Sequence, residues 1–136
     1  MVFYFSGTGN SLWVAKKIGE AFDERLISIS EELNRKDTDY RYQLMPNEKV
    51  FFVFPVHSWG PAVLVYRFLK EMSFDNYTTQ PIYAVCVCGD NCGDSGDIIR
   101  KLLKDKSFSL TKSFSIQMLK GQYKRNTLIF LSKMLH

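Results

Sequence analysis

The sequence predicts an α/β fold, a doubly wound five-stranded parallel sheet with helices on both faces. Three observations predict it. Short apolar runs alternate with amphipathic stretches, the pattern of repeated βα units. Two of those runs, Val50–Phe54 and Ile82–Cys88, are essentially unbroken, as expected of parallel strands covered on both faces. The chain also opens on a short apolar run, Val2–Phe5. That run breaks into the small polar residues Ser6-Gly7-Thr8-Gly9-Asn10-Ser11 and resumes as an amphipathic segment, Leu12–Phe22. This order is a buried strand, a tight loop and a helix N-terminus.

The remaining elements follow in order. The first helix carries Val14, Ala15, Ile18 and Phe22 on one face, with Lys16, Lys17 and Glu20 off it. Trp13, in its first turn, reads as local packing. Arg25–Ile29 alternates as a second strand. Ser30–Leu33 starts a helix that dissolves into the polar stretch Asn34–Asp39, so the second helix is short or missing. Tyr40–Leu44 alternates and reads as an extra extended segment, followed by a turn at Met45–Glu48. Lys49–Phe54 is the third strand and Pro55–Gly60 a loop. Pro61 suits the first position of a helix reaching Met72, with Leu64, Val65, Phe68 and Met72 inward. Ile82–Cys88 is the fourth strand and Gly89–Gly93 a loop. Asp94 caps a helix to about Lys104 through Ile98, Ile99, Leu102 and Leu103. Lys112–Met118 is a weaker outer strand. Asn126–Leu135 is the last helix, with Leu128, Leu131 and Leu135 on its stripe.

A chain of 136 residues holds one core, so residues 1–136 are expected to form a single domain. With 46% hydrophobic and 24% charged residues the composition is that of an ordinary globular protein. No apolar run approaches a membrane span. No basic segment with a cleavage site opens the chain, so a cytoplasmic location is expected, with no membrane partner. The net charge is +4. The basic residues are spread along the chain and do not alternate with aromatics, which reads as a solvated face rather than a nucleic-acid surface. Three cysteines, an odd number, argue against a disulfide framework and fit a reducing compartment.

The first loop carries the chemistry. A helix N-terminus leaves N–H groups unpaired and partial positive charge exposed, which suits an anion. Gly7 and Gly9 permit close approach of the backbone. Ser6, Thr8, Asn10 and Ser11 add side-chain donors, and no Lys or Arg lies in the loop. Phosphate here would be held by neutral dipoles. The ATP/GTP loop requires a Lys that is missing. The dinucleotide fingerprint requires a third Gly where Leu12 stands. Ser6-Gly7-Thr8-Gly9-Asn10-Ser11 instead matches [ST]-x-T-G-[NT]-[ST] at every constrained place. The chain therefore resembles the flavodoxin family, whose loop wraps the phosphate of FMN. The opening and Phe54-Pro55-Val56 look like the flavodoxin half of bacterial flavodoxin–ferredoxin fusions, and the resemblance runs from Val2 to about Met118. The structural alternative is a strand–turn–helix junction with no ligand.

The resemblance implies the strand order 2-1-3-4-5, of which flavodoxin is itself the standard example. It also implies FMN as cofactor, with Ser6, Gly7, Thr8, Gly9, Asn10 and Ser11 at the phosphate. The loop after the third strand, Pro55-Val56-His57-Ser58-Trp59-Gly60, would border the ring through Pro55, His57, Ser58, Trp59 and Gly60. Trp59 can stack on a flat ligand. In the family the peptide beside that Gly turns over, and its carbonyl accepts the N5 proton of reduced flavin. Pro61 limits the residue before it and is a departure. His57 is a hydrogen-bonder or a proton donor near the ring. In the loop after the fourth strand, Cys88, Gly89 and Asp90 would hold the pyrimidine edge. Cys92 and Gly93 stand near where many flavodoxins carry a stacking Tyr, so the outer face is either open or covered by another element. Cys86 and Cys88 share one strand face and read as small hydrophobes. Cys92, in a loop that looks exposed, is a candidate redox thiol with no basic neighbour to lower its pKa. No fourth ligand completes a metal site.

Three functions remain open on this reading. The first is an electron carrier working with a redox partner protein, such as a ferredoxin or a reductase. The second is an NAD(P)H-dependent FMN or quinone reductase. The third is an interaction module that keeps the fold without the cofactor.

Overall fold

The computed structural model describes residues 1–7, 9–35, 39–57, 60–61, 63–89, 91–118 and 122–135, with residues 57, 60 and 61 described by backbone alone. The elements in chain order are β1 (Val2–Tyr4), α1 (Asn10–Phe22), β2 (Leu26–Ser28), α2 (Ile29–Asn34), β3 (Arg41–Gln43), β4 (Val50–His57) and β5 (Gly60–Pro61). They continue with α3 (Val63–Glu71), β6 (Ser73–Asp75), β7 (Ile82–Cys88), α4 (Ser95–Lys104), β8 (Lys112–Gln117) and α5 (Tyr123–Leu135).

The main sheet runs β2-β1-β4-β7-β8, all parallel. Numbered within this sheet, that is the expected order 2-1-3-4-5. The sheet divides the interior in two. Phe3, Phe52, Phe54, Ala84 and Cys86 face a core closed by α3 and α4. Val2, Phe51, Val53, Val85 and Val87 face a core closed by α1 and α5. The period-2 alternation of a strand assigns neighbouring residues to opposite cores. This is why β4 from Val50 to Val56 and β7 throughout are apolar.

A second, two-stranded sheet pairs β3 with β6 in parallel, Tyr42 opposite Phe74. β3 is the extra extended segment expected from its alternation. β6 and β5 are additions that the pattern did not reveal, each only two or three residues long. The small sheet packs Tyr42 and Phe74 against Phe3, with ring centroids 4.9 and 6.1 Å away. α2, as expected, is short, at six residues. Ser28 caps α2, its Oγ accepting from the Glu31 N–H at 3.3 Å. Burial and a hydrogen bond to Glu32 raise the pKa of Tyr42, so its neutral form is held at ordinary pH.

Two helical faces differ from expectation. α5 begins at Tyr123 and buries Thr127, Phe130 and Leu131, whereas Leu128 and Leu135 are exposed. Leu128, Leu131 and Leu135 satisfy helical spacing, and so do Thr127, Phe130, Leu131 and Met134. The aromatic contacts decide between them: Phe130 lies 4.7 Å from Phe114, and Tyr123 meets Trp13 edge-on at 5.6 Å. In α3, Val65, Phe68 and Leu69 are buried and Leu64 is exposed. The helix starts at Val63 because Pro61 is drawn into a β pairing with Val56.

One buried polar side chain pins the base of the sheet. Gln80 accepts from the Thr78 N–H at 2.8 Å and donates to the carbonyls of Met45 at 3.0 Å and Asn76 at 3.2 Å. Gln80→Leu removes both donations and leaves two carbonyls short of a partner. Urea denaturation should show a loss of about 1–3 kcal/mol; a change within about 0.5 kcal/mol, the range of ordinary surface substitutions, would mean that water replaces the amide. Among the described residues no helix is long and apolar enough to cross a membrane.

Candidate functional site at the carboxyl edge of the sheet

β1, β4 and β7 are neighbours, and their registers (Tyr4 opposite Val53, Val53 opposite Val85) bring three loops to one edge. The first is built around α1. Gly9 occupies the N-cap position with φ 94°, a conformation that favours glycine, and offers no side-chain cap. No acidic residue lies in the first turn. The Gly9 N–H donates to Ser6 Oγ at 2.9 Å. Ser6 thus shapes the loop while its own hydroxyl proton stays available to donate. A Cβ placed at Gly7 or Gly9 would meet nothing within 4 Å. The loop backbone therefore faces open space beside unpaired helix N–H groups, the arrangement that binds anions. Ser11 is buried at 2% exposure, and Thr8 lies outside the described residues.

The second loop is not the open loop expected at Pro55–Gly60. β4 continues to His57 and folds back, His57 pairing with Gly60 and Val56 with Pro61 in antiparallel register. Pro55 is tolerated inside the strand for a geometric reason. The Val53 carbonyl accepts from the Phe5 N–H at 3.0 Å, so Pro55, two residues on, faces the same side, beyond the end of β1. No ladder bond is lost by its missing N–H. Ser58 and Trp59, the two residues between the paired positions, lie outside the described residues.

The third loop corrects two expectations. Cys92 is buried, not exposed, and it is joined to Cys88 in a disulfide with Cα atoms 5.6 Å apart. An odd cysteine count excluded a framework of bridges but not one local pair; Cys86 is the cysteine left over. Cys86 and Cys88 do share a face, in the core closed by α3 and α4. Burial pushes the Cys86 thiol up to about 12, which makes it an inert core residue. Gly89 is exposed, and a Cβ there would meet nothing within 4 Å. Asp90 lies outside the described residues. Asp94 precedes α4 as expected but makes no side-chain cap bond. Ser95 Oγ, fully buried at the start of α4, has no hydrogen-bond partner among the described residues.

Met118 is a site residue that the sequence did not signal. Its Sδ lies 3.0 Å from Asn10 Nδ2, and its N–H donates to the Cys88 carbonyl at 2.8 Å. It ties the first loop to the third. Trp13 packs on Tyr123 with the ammonium groups of Lys17 and Lys124 near its ring, at 5.5 and 5.4 Å. It is packing, as expected. A groove of about 320 Å³ lies between β8 and α5, lined by Phe114, Gln117, Asn126 and Phe130 among others.

Solved structures share this architecture along their whole length. A candidate flavoprotein of Bacteroides uniformis superposes with a TM-score of 0.66 at 13% identity, covering 96% of each chain. Fusobacterium nucleatum flavodoxin, solved bound to flavin mononucleotide, gives 0.59 at 8% identity over 98% of this chain and 95% of its own. The chain has the flavodoxin-like fold. Two-electron reduced Megasphaera elsdenii flavodoxin gives 0.58 at 13% identity, covering 98% and 99%. No family model and no curated relative matches the chain. In this flavodoxin-like frame the three loops occupy the carboxyl edge at the topological switch point, between the first and third strands of the sheet.

Proposed function

We propose that this flavodoxin-like chain binds FMN at the carboxyl edge of its sheet and carries electrons between redox partners. The observation that carries the reading is the uncapped N-terminus of α1, where Gly7 and Gly9 open onto free space and no first-turn acid opposes an anion. Ser6, Gly7, Thr8, Gly9, Asn10 and Ser11 would hold the phosphate with N–H and hydroxyl dipoles. Pro55, His57, Ser58, Trp59 and Gly60 would border one side of the ring, and Cys88, Gly89 and Asp90 its pyrimidine edge. The open backbone at Gly89 fits a ligand edge with polar atoms. Bound there, FMN would supply one- and two-electron chemistry, and the protein would supply orientation and electrostatics. The charge of +4 favours an acidic redox partner, of which a ferredoxin is one candidate and a reductase another.

The test is a titration of the purified protein with FMN, followed by flavin fluorescence and visible absorption. Saturable quenching with perturbed flavin bands at micromolar concentration is expected. A folded protein indifferent to FMN would refute the reading and leave a flavodoxin-like interaction module. Rapid bleaching of the bound flavin by NAD(P)H alone would make the chain a reductase rather than a carrier.

A further inference from the structure

We propose that Cys88 and Cys92 form a reversible dithiol/disulfide site whose oxidation state sets the affinity of the adjoining loop for FMN. The coupling rests on the FMN reading above; the redox pair itself does not.

The disulfide closes a ring of only five residues, at the junction of β7 and α4. The entropy that a bridge removes from the unfolded chain grows with the length it closes. A bridge this short acts mainly on local geometry, not on global stability. Its two ends are held independently of the sulfurs. The Cys88 carbonyl accepts from the Met118 N–H at 2.8 Å, and the Cys92 carbonyl from the Ser95 N–H at 3.2 Å. Asn91 Oδ1 accepts from the Gly93 N–H at 2.6 Å. Opening the bridge therefore frees Gly89 and little else. Gly89 is one of the residues assigned to the ligand edge.

The reduced form also has a place prepared for it. Cys92 Sγ lies 3.5 Å from the Cys86 carbonyl oxygen, so a freed Cys92 thiol can donate there without moving into a void. Cys86 takes no part in exchange, because its buried thiol is held far from the thiolate form. Of the bridged pair, Cys92 is the less enclosed, at 7% against 1% exposure for Cys88. An external dithiol reductant would thus attack Cys92 Sγ as a thiolate. The Sγ–Sγ bond breaks, and Cys88 leaves as a thiolate and takes up a proton. The second thiol of the reductant then attacks the mixed disulfide, releasing Cys92 and a cyclic oxidised reductant. Two electrons and two protons pass to the pair, and an oxidised dithiol reverses the exchange.

With the ring closed, Gly89 is held beside the bridge before a ligand arrives, so the oxidised form loses less conformational freedom on binding. Reduction should raise the Kd for FMN about tenfold. Linkage then requires bound FMN to make the disulfide harder to reduce by the same factor, about 30 mV for a two-electron couple.

The experiment equilibrates the full chain anaerobically in dithiothreitol buffers of graded oxidation state. Free thiols are trapped with N-ethylmaleimide, and modified peptides are counted by mass. Oxidised and reduced protein, each freed of reductant by gel filtration, are then titrated with FMN by fluorescence. Expected results are cooperative appearance of labels at Cys88 and Cys92 across the buffer series and a roughly tenfold weaker Kd after reduction. Cys86→Ser should behave as the parent, and the double change Cys88→Ser, Cys92→Ser should bind weakly whatever the buffer. Labels on both thiols in the most oxidising buffer would overturn the redox site, a result that needs no flavin and no variant. Equal or tighter binding after reduction would overturn the coupling and leave the FMN reading standing. No binding by either form would overturn the FMN reading and the coupling together, with the trapping assay still deciding the redox pair.

Discussion

Gly7→Val should abolish measurable FMN binding at micromolar concentration while leaving the protein as stable as before. The two halves of this expectation have separate causes. Gly7 is exposed, and a Cβ there meets no protein atom within 4 Å. Its φ is not among the positive values, so a side chain brings no left-handed strain. Stability should change by no more than about 0.5 kcal/mol, as for an ordinary surface substitution. The space that Val would fill is the space assigned to phosphate beside the α1 N-terminus. Loss of that seat should weaken binding at least ~100-fold, about 2.7 kcal/mol. Fluorescence titration and thermal unfolding on the same sample separate the two effects. Gly19→Ala is the converse control. A Cβ there would meet Leu26 Cδ1 at 2.6 Å and the Glu24 carbonyl at 2.9 Å, so it should lower stability and spare the affinity of the folded protein. Unchanged FMN affinity in Gly7→Val would remove the phosphate from this loop.

The largest stability effect should come from Phe3→Ala. Phe3 is fully buried. Its ring lies 5.1 Å from Phe52, 4.9 Å from Tyr42, 5.5 Å from Phe68 and 6.1 Å from Phe74. These partners come from β4, β3, α3 and β6, so one ring joins the main sheet, the small sheet and a helix. Truncation should cost about 3–5 kcal/mol through lost contact and a cavity that these elements cannot close. Against a total stability of roughly 5–15 kcal/mol this leaves little margin. Phe3→Leu keeps most of the apolar volume and should cost markedly less. Calorimetry and urea midpoints would check both, and a loss below about 1 kcal/mol in Phe3→Ala would show that the small sheet packs without it.

Much of the architecture was legible because it rests on local periodicity. Uninterrupted apolar runs marked β4 and β7, and helical spacing located α1, α3 and α4 to within a few residues. The helix-initiating loop around Gly9 was legible because positive φ and an uncapped helix start call for small residues at particular places. What was not legible involves partners distant in sequence. β6 is a strand only because Phe74 meets Tyr42 across the small sheet. Pro61 is strand and not helix because it folds back on Val56. The buried stripe of α5 is set by Phe114 and Trp13, which lie outside it.

The same division holds at the site. Composition and spacing alone marked Ser6 to Ser11 as the candidate anion-binding loop, because that chemistry depends on neighbouring residues along one turn of chain. They also placed the chain among parallel α/β folds, since coverage of both sheet faces is written into every residue of a buried strand. Only the tertiary structure set Met118 between Asn10 and Cys88, and only it brought Cys92 into the core against Cys88. Those contacts depend on where loops come to rest once the strands are in register, and no local pattern encodes that distance.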